Sequence, residues 1–205
     1  KRVNGKQPRE PKRVKLPEAN TPNTDRSPID WQQGLADLHY WGQRNNPGAE
    51  ANGAALLAHW RANVAPFIHV RHDSTTPISR LHPDHPGHEF IEFATPKDGE
   101  PVYGKQVNSA FIGTRLEADL RARGINQIVC CGISTDHCVN TTTRMGANLG
   151  FEVTIVSDAC FAFERKLPDG RVFAADLVHD VALARLNGEF AKVCMTDQVI
   201  GGKCD

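Results

Sequence analysis

The run Gln127-Ile128-Val129-Cys130-Cys131-Gly132-Ile133-Ser134-Thr135-Asp136-His137-Cys138-Val139-Asn140-Thr141-Thr142 constrains this chain more than any other stretch. Its first half is apolar and partly β-branched, the pattern of a buried strand. A glycine and a short polar turn follow, and then a segment with helical character. Asp136 or Thr135 is placed to cap that helix, whose body is predicted from about His137 to Leu149. A thiol at Cys138 would then sit at the positive end of a helix dipole, beside unpaired backbone N–H groups. Both favour thiolate over thiol, and the same N–H groups can receive an oxyanion. Cys138 is therefore the first candidate nucleophile, although a free cysteine is equally at home as core filler.

The rest of the chain repeats this strand-then-helix alternation. Residues 65–70 (APFIHV), 101–105 (PVYGK), 151–157 (FEVTIVS) and 191–195 read as strands; 49–63, 112–123 and 172–186 read as helices, the second ended by Gly124. Apolar strands alternating with helices imply a mostly parallel sheet covered on both faces, a three-layer α-β-α fold of Rossmann-like type. There is no internal repeat and no second core. Residues 1–25 are polar, with prolines at 8, 11, 17 and 22, and are expected to form an arm or tail; residues 26–205 are expected to form one domain.

With 24 basic and 24 acidic side chains, the charge balance offers no case for nucleic acid or an anionic membrane as partner. No run approaches the ~18–20 apolar residues of a membrane span. The six cysteines form no CxxC pair and no Cys/His metal spacing, so a reduced, cytoplasmic protein is expected rather than a disulfide framework. Cys130 and Cys131 lie within the strand and read as packing residues.

Chemistry-bearing residues cluster at strand ends, where open α/β sheets place ligands. Lys105 ends one predicted strand and could lower the pKa of a neighbouring thiol, while Arg71-His72-Asp73-Ser74 ends another. Asp30 lies in a turn-like segment and could act as a general base. His82, His85 and His88 could bind a metal in principle, but they occupy a proline-broken loop without an accompanying helix, so no metal is expected. No strand-linked GxGxxG and no P-loop is present, and no cofactor is expected.

The stretches IDWQQG (29–34), YWGQRNNP (40–47), FIHVRHDS (67–74), GKQVNSAF (104–111), GISTDHCVNTTTRMGANLGF (132–151) and VSDAC (156–160) together resemble the isochorismatase-like cysteine hydrolase family over about residues 28–200. The resemblance implies a catalytic triad of Asp30, Lys105 and Cys138. In it Cys138 attacks a carbonyl, Asp30 moves the proton and Lys105 stabilises the thiolate. It also implies a cis peptide at Ile133–Ser134 and an oxyanion hole from the N–H groups of Ser134 and Cys138. Trp31, Tyr40, Trp41, His72, Phe111 and His137 are the candidate substrate-binding residues, with pocket loops at 35–47 and 73–100. A homodimer or homotetramer is the implied assembly.

Two departures from the family pattern stand out. Asn23-Thr24-Asp25-Arg26-Ser27-Pro28 is polar where relatives approach the aspartate along an apolar first strand. Arg71-His72-Asp73-Ser74 also replaces the Asp-x-His metal motif of nicotinamidase-type relatives. The expected function is hydrolysis of a small amide or carbamoyl C–N bond through a thioester. The alternatives are hydrolysis of an isochorismate-like vinyl ether, which needs no nucleophilic cysteine, and a non-catalytic binding or assembly module of the same fold.

Overall fold

The computed structural model describes residues 24–204, so most of the expected N-terminal arm lies outside the described residues. In chain order the elements are β1 (Thr24–Ile29), α1 (Leu38–Trp41), α2 (Ala49–Ala62), β2 (His69–His72), β3 (Val102–Lys105), α3 (Leu116–Ala122), β4 (Gln127–Ile133), α4 (Asn140–Asn148), β5 (Glu152–Phe161), β6 (Arg165–Lys166), β7 (Val172–Phe173), α5 (Ala175–Leu186), β8 (Lys192–Cys194) and α6 (Thr196–Ile200). Six strands form one parallel sheet in the order β3-β2-β1-β4-β5-β8, and β6 and β7 pair as a separate antiparallel hairpin. The helix pairs α2/α6 and α4/α5 each pack over β5, completing the three layers. The core is continuous and includes Trp31, Trp60, Leu56, Leu57, Ile155, Phe161 and Phe163.

The polar stretch before Asp30 is a central strand. Thr24 and Asp25, assigned to the arm by composition, belong to it. Its ladder to β4 is unbroken from Thr24↔Gln127 to Ile29↔Gly132. On the β2 side, Ile68 N–H donates to Arg26 O and Asp30 N–H donates to Val70 O, both at 2.9 Å. Pro28 lies between these two bonds on the same edge, so its missing N–H leaves the β4 ladder whole. The buried polar face is satisfied locally: Ser27 Oγ donates to Asp25 Oδ2 at 3.1 Å, and Arg123 Nη1 lies 3.5 Å from Asp25 Oδ1. Hydrogen bonding, rather than apolar patterning, makes this strand.

The order of strand addition reverses between β1 and β4: the chain builds outward through β2 and β3, then crosses back to build β4, β5 and β8 on the other side. That switch point opens a crevice at the carboxyl ends of the strands. At its base Gly132 has φ +130°, and a Cβ there would run into the carbonyl oxygen of Ile29. Only glycine lets β1 and β4 approach this closely. The Ile133–Ser134 peptide is cis.

Two local expectations are corrected. The segment after β4 is a π turn (Thr135–Val139), with α4 beginning only at Asn140, and neither Thr135 nor Asp136 caps it. Thr135 Oγ1 is instead hydrogen-bonded to His179 Nδ1 at 2.8 Å, and Asp136 serves the neighbouring site. Second, Cys194 and Cys204 are joined in a disulfide. The short α6 turns the chain back toward β8, bringing Cα atoms ten residues apart in sequence to 5.9 Å. The remaining four cysteines are free. Among the described residues, no helix is long and apolar enough to cross a membrane.

Candidate active site

Asp30 follows β1, His72 ends β2, Lys105 ends β3, and Cys138 lies just beyond β4. Four neighbouring strands thus deliver four side chains to one crevice. Asp30 is held in the left-handed region at φ +53°, a conformation uncommon outside glycine and tolerated by aspartate. The Lys105 side chain is fully buried. Its ammonium donates to Asp30 Oδ2 at 2.7 Å and to Cys138 Sγ at 3.2 Å, and lies 3.1 Å from His72 Nδ1. Asp30 Oδ1 has no hydrogen-bond partner.

Ligand atoms of Asp30, His72 and Cys138 lie within 4.8 Å of one another, a spacing that would suit a cation. The cation there is the Lys105 ammonium, bonded to all three. The loop histidines are engaged elsewhere. His88 Nε2 meets Asp73 Oδ1 at 2.7 Å, His85 Nδ1 accepts from Gly87 N–H, and His82 Nδ1 accepts from Asp84 N–H.

The electrostatics differ from a dipole-activated thiolate. Burial pushes the Cys138 thiol up, and the Asp30 carboxylate pushes it further; Lys105 opposes both without reversing them. Burial works against the charge of Lys105, but Asp30 and Cys138 outweigh it and raise its pKa. The site thus sets a thiol of raised pKa beside a buried lysine–aspartate salt bridge. Cys138 lies in the π turn that leads into α4 rather than in the first turn of α4 itself. Burial also raises the thiols of Cys130 and Cys160 and pushes Cys131 up to about 12, in keeping with packing roles.

Above these groups is a pocket of about 170 Å³. Leu35, Trp41, Leu81, Ile133 and Phe163 make its apolar wall; Asn108, His137 and Arg165 add polar groups. Trp41 stacks on Phe163 at 5.8 Å, and its Nε1 donates to Gly34 O at 2.7 Å. Arg165 Nε donates to Asp136 Oδ2 at 2.9 Å, and Ser134 Oγ donates to Asp136 Oδ1 at 2.8 Å. Burial opposes the charge on Asp136. Hydrogen bonds from His137, Ser134 and Arg165 outweigh it and hold the carboxyl well below its usual range.

Of the expected substrate-binding residues, Trp41, His72 and His137 line the pocket, as does Ser134. Three others do not. Trp31 is buried in the core, edge-on to Phe93 and Phe161, where Gly53 of α2 packs against it. Tyr40 is exposed at the outer rim beneath Arg80. Phe111 stacks on Phe151 at 5.8 Å, away from the pocket. An aromatic near a motif packs wherever its strand or helix face points, which composition does not reveal. The sequence reading missed Leu35, Leu81, Asn108, Ile133, Phe163 and Arg165 as pocket residues. Leu35 and Leu81 fall in the loops expected to line the pocket, and Asn108 lies in the stretch after Lys105. Phe163 and Arg165 follow β5 with no local signal.

Fold and site together define a three-layer α/β protein in which a buried lysine–aspartate pair meets a cysteine at the switch point of a parallel sheet. Comparison with known proteins places it further. The isochorismatase domain family matches residues 28–198. The chain is 41% identical to the uncharacterized isochorismatase family protein YrdC of Bacillus subtilis, over 84% of this chain and 91% of that one. An isochorismatase-family protein from Chromobacterium violaceum superposes with a TM-score of 0.85 at 44% identity, covering 92% of this chain and 97% of the other. A cysteine hydrolase from Pseudomonas syringae superposes with a TM-score of 0.78 at 26% identity, over 87% and 91% of the two chains. The ureidoacrylate amidohydrolase RutB of Caulobacter vibrioides is 28% identical over 62% of this chain and 55% of its own length. The chain belongs to the isochorismatase family of hydrolases.

Proposed function

We propose that this protein is a cysteine-dependent hydrolase of a small amide or carbamoyl C–N bond, working through a thioester. The observation that carries the reading is the Lys105 ammonium bridging the Asp30 carboxylate and the Cys138 sulfur at the pocket floor. As Cys138 Sγ attacks the carbonyl carbon, Asp30 takes the thiol proton; its unpartnered Oδ1 is the free acceptor. Lys105 stabilises the negative charge as it passes between sulfur and carboxylate. The N–H groups of Ser134 and Cys138 receive the carbonyl oxygen as it becomes an oxyanion. Asp30 then returns the proton to the leaving nitrogen, the C–N bond breaks, and a thioester remains. Water, deprotonated by Asp30, attacks the thioester to release the acid and restore the thiol.

The apolar wall of Leu35, Trp41, Leu81 and Phe163 suits a substrate whose non-reacting part is small and largely apolar. The amidohydrolase activity in the name of the relative RutB, and the description of a structural neighbour as a cysteine hydrolase, support C–N hydrolysis at a thiol. Ammonia or amine release from a panel of small amides and carbamoyl compounds, with wild type and Cys138→Ala side by side, tests the reading. Turnover that is lost in Cys138→Ala, with an acyl adduct on Cys138 detected by intact mass, is expected. Turnover of a vinyl ether that survives Cys138→Ala would replace the thioester reading with acid-assisted ether hydrolysis.

A further inference from the structure

A lysine ammonium has three N–H bonds to give. At Lys105 all three have acceptors, and one of these, His72 Nδ1 at 3.1 Å, has no part in the proposed proton transfers. The end of β2 that carries His72 is gripped by one side chain. Gln32, 1% exposed, accepts from His72 N–H through Oε1 at 2.9 Å and donates through Nε2 to His72 O at 3.1 Å and His88 O at 2.8 Å. Gln32 N–H also bonds to Asp30 O at 2.8 Å, so the same residue ties the Asp30 turn to the end of β2.

We propose that Gln32 and His72 are positioning residues of this site: the Gln32 carboxamide locks the end of β2, and the His72 imidazole takes the third hydrogen bond of Lys105, holding its charge and its aim between Asp30 and Cys138. The inference rests on the cysteine-hydrolase reading above and adds the support of its lysine. Accepting at Nδ1 makes His72 a neutral ring with its proton on Nε2. The titratable groups facing the ring are Lys105 and Asp30 from neighbouring strand ends, with Asp73 and His88 from the loop behind it. Burial and Lys105 both keep the ring from charging. Without an acceptor at Nδ1, the buried ammonium would carry one N–H unpaired. Its charge would become less favourable, and the stabilisation it lends the sulfur would fall.

Iodoacetamide alkylation of Cys138, followed by peptide mass spectrometry from about pH 7 to about pH 10, tests this without a known substrate. The variants are His72→Gln, His72→Asn, Gln32→Met and Lys105→Ala in the full chain, with thermal unfolding as the control for folding. Asn puts an oxygen near the position of Nδ1; Gln reaches past it. His72→Gln is expected to slow alkylation about tenfold near pH 8.5 and move its rising limb to higher pH, the size of one lost hydrogen bond to a charge. His72→Asn recovers most of that loss, and Gln32→Met moves the limb in the same direction as His72→Gln. Should His72→Gln fail to fold, Gln32→Met decides the matter. If the Asn and Gln variants behave alike, or neither His72 nor Gln32 variants move a profile that Lys105→Ala does move, the positioning role is wrong while the triad stands. An unmoved profile in Lys105→Ala overturns both.

Discussion

Lys105 and Asp30 form an ion pair at 2.7 Å whose side chains are 0% and 1% exposed. Two charges this far from water hold each other in place, and removing either leaves the other without compensation. Lys105→Met should therefore cost stability as well as activity, by about 3–5 kcal/mol in urea denaturation. Asp30→Asn should cost a similar amount. The double variant should be closer to wild type than the sum of the two losses. Strict additivity would show that the pair is uncoupled.

The pH dependence of Cys138 follows from the same pair. Because burial and Asp30 raise the thiol, alkylation of Cys138 should rise with a midpoint above the ~8.5 of an ordinary cysteine. Lys105→Ala removes the charge and hydrogen bond that lower it, so the midpoint should move higher still. A wild-type midpoint near 6 would mean that the thiolate is stabilised at rest, and Asp30 would not be needed as its base.

Asp25 lies at the opposite end of β1 from the site, fully buried, and its carboxyl is raised to about 7, chiefly by burial. An acid whose folded pKa is raised binds its proton more tightly in the folded state. Its contribution favours folding most at low pH and is lost as pH climbs from about 4 to about 7. Asp25→Asn mimics the protonated form. Its stability relative to wild type should grow across that window by an amount on the order of a few kcal/mol, and level off above it. Midpoints of chemical denaturation at several pH values would check this; a constant difference between the two proteins would sink it.

Gly132→Ala should be poorly tolerated. At φ +130° any L side chain is strained, and this one would strike the Ile29 carbonyl where β1 and β4 converge. Strain alone is about 1–3 kcal/mol, and the clash adds to it. Loss of folded protein, or a fall of at least about 3 kcal/mol with Asp30 displaced, is the expected result. Gly150→Ala, with positive φ but open space around its Cβ, is the milder control.

The parallel α/β class, the strand ending at Ile133, the candidates Asp30, Lys105 and Cys138, and the family were legible in the order of residues. Apolar strand runs, helical periodicity and a local motif act over a few neighbours, and the linear chain displays them directly. Two things were not legible. The first strand was obscured because Asp25, Ser27 and Pro28 are poor strand formers alone. They become tolerable only beside β4 and Arg123, where ladder bonds and a buried counter-charge exist. Trp31 and Phe111 were misplaced because a motif does not say which way an aromatic points.

What the sequence displayed by itself was most of the strands and helices and the candidate reacting groups Asp30, Lys105 and Cys138. The tertiary structure alone decided that Lys105 meets Asp30, Cys138 and His72 together, that the Cys138 thiol is raised rather than lowered, and that Phe163 and Arg165 belong to the pocket. The physical reason is distance. Hydrogen bonds and desolvation act over a few ångströms, and the residues they join here stand 33 and 75 positions apart in the chain.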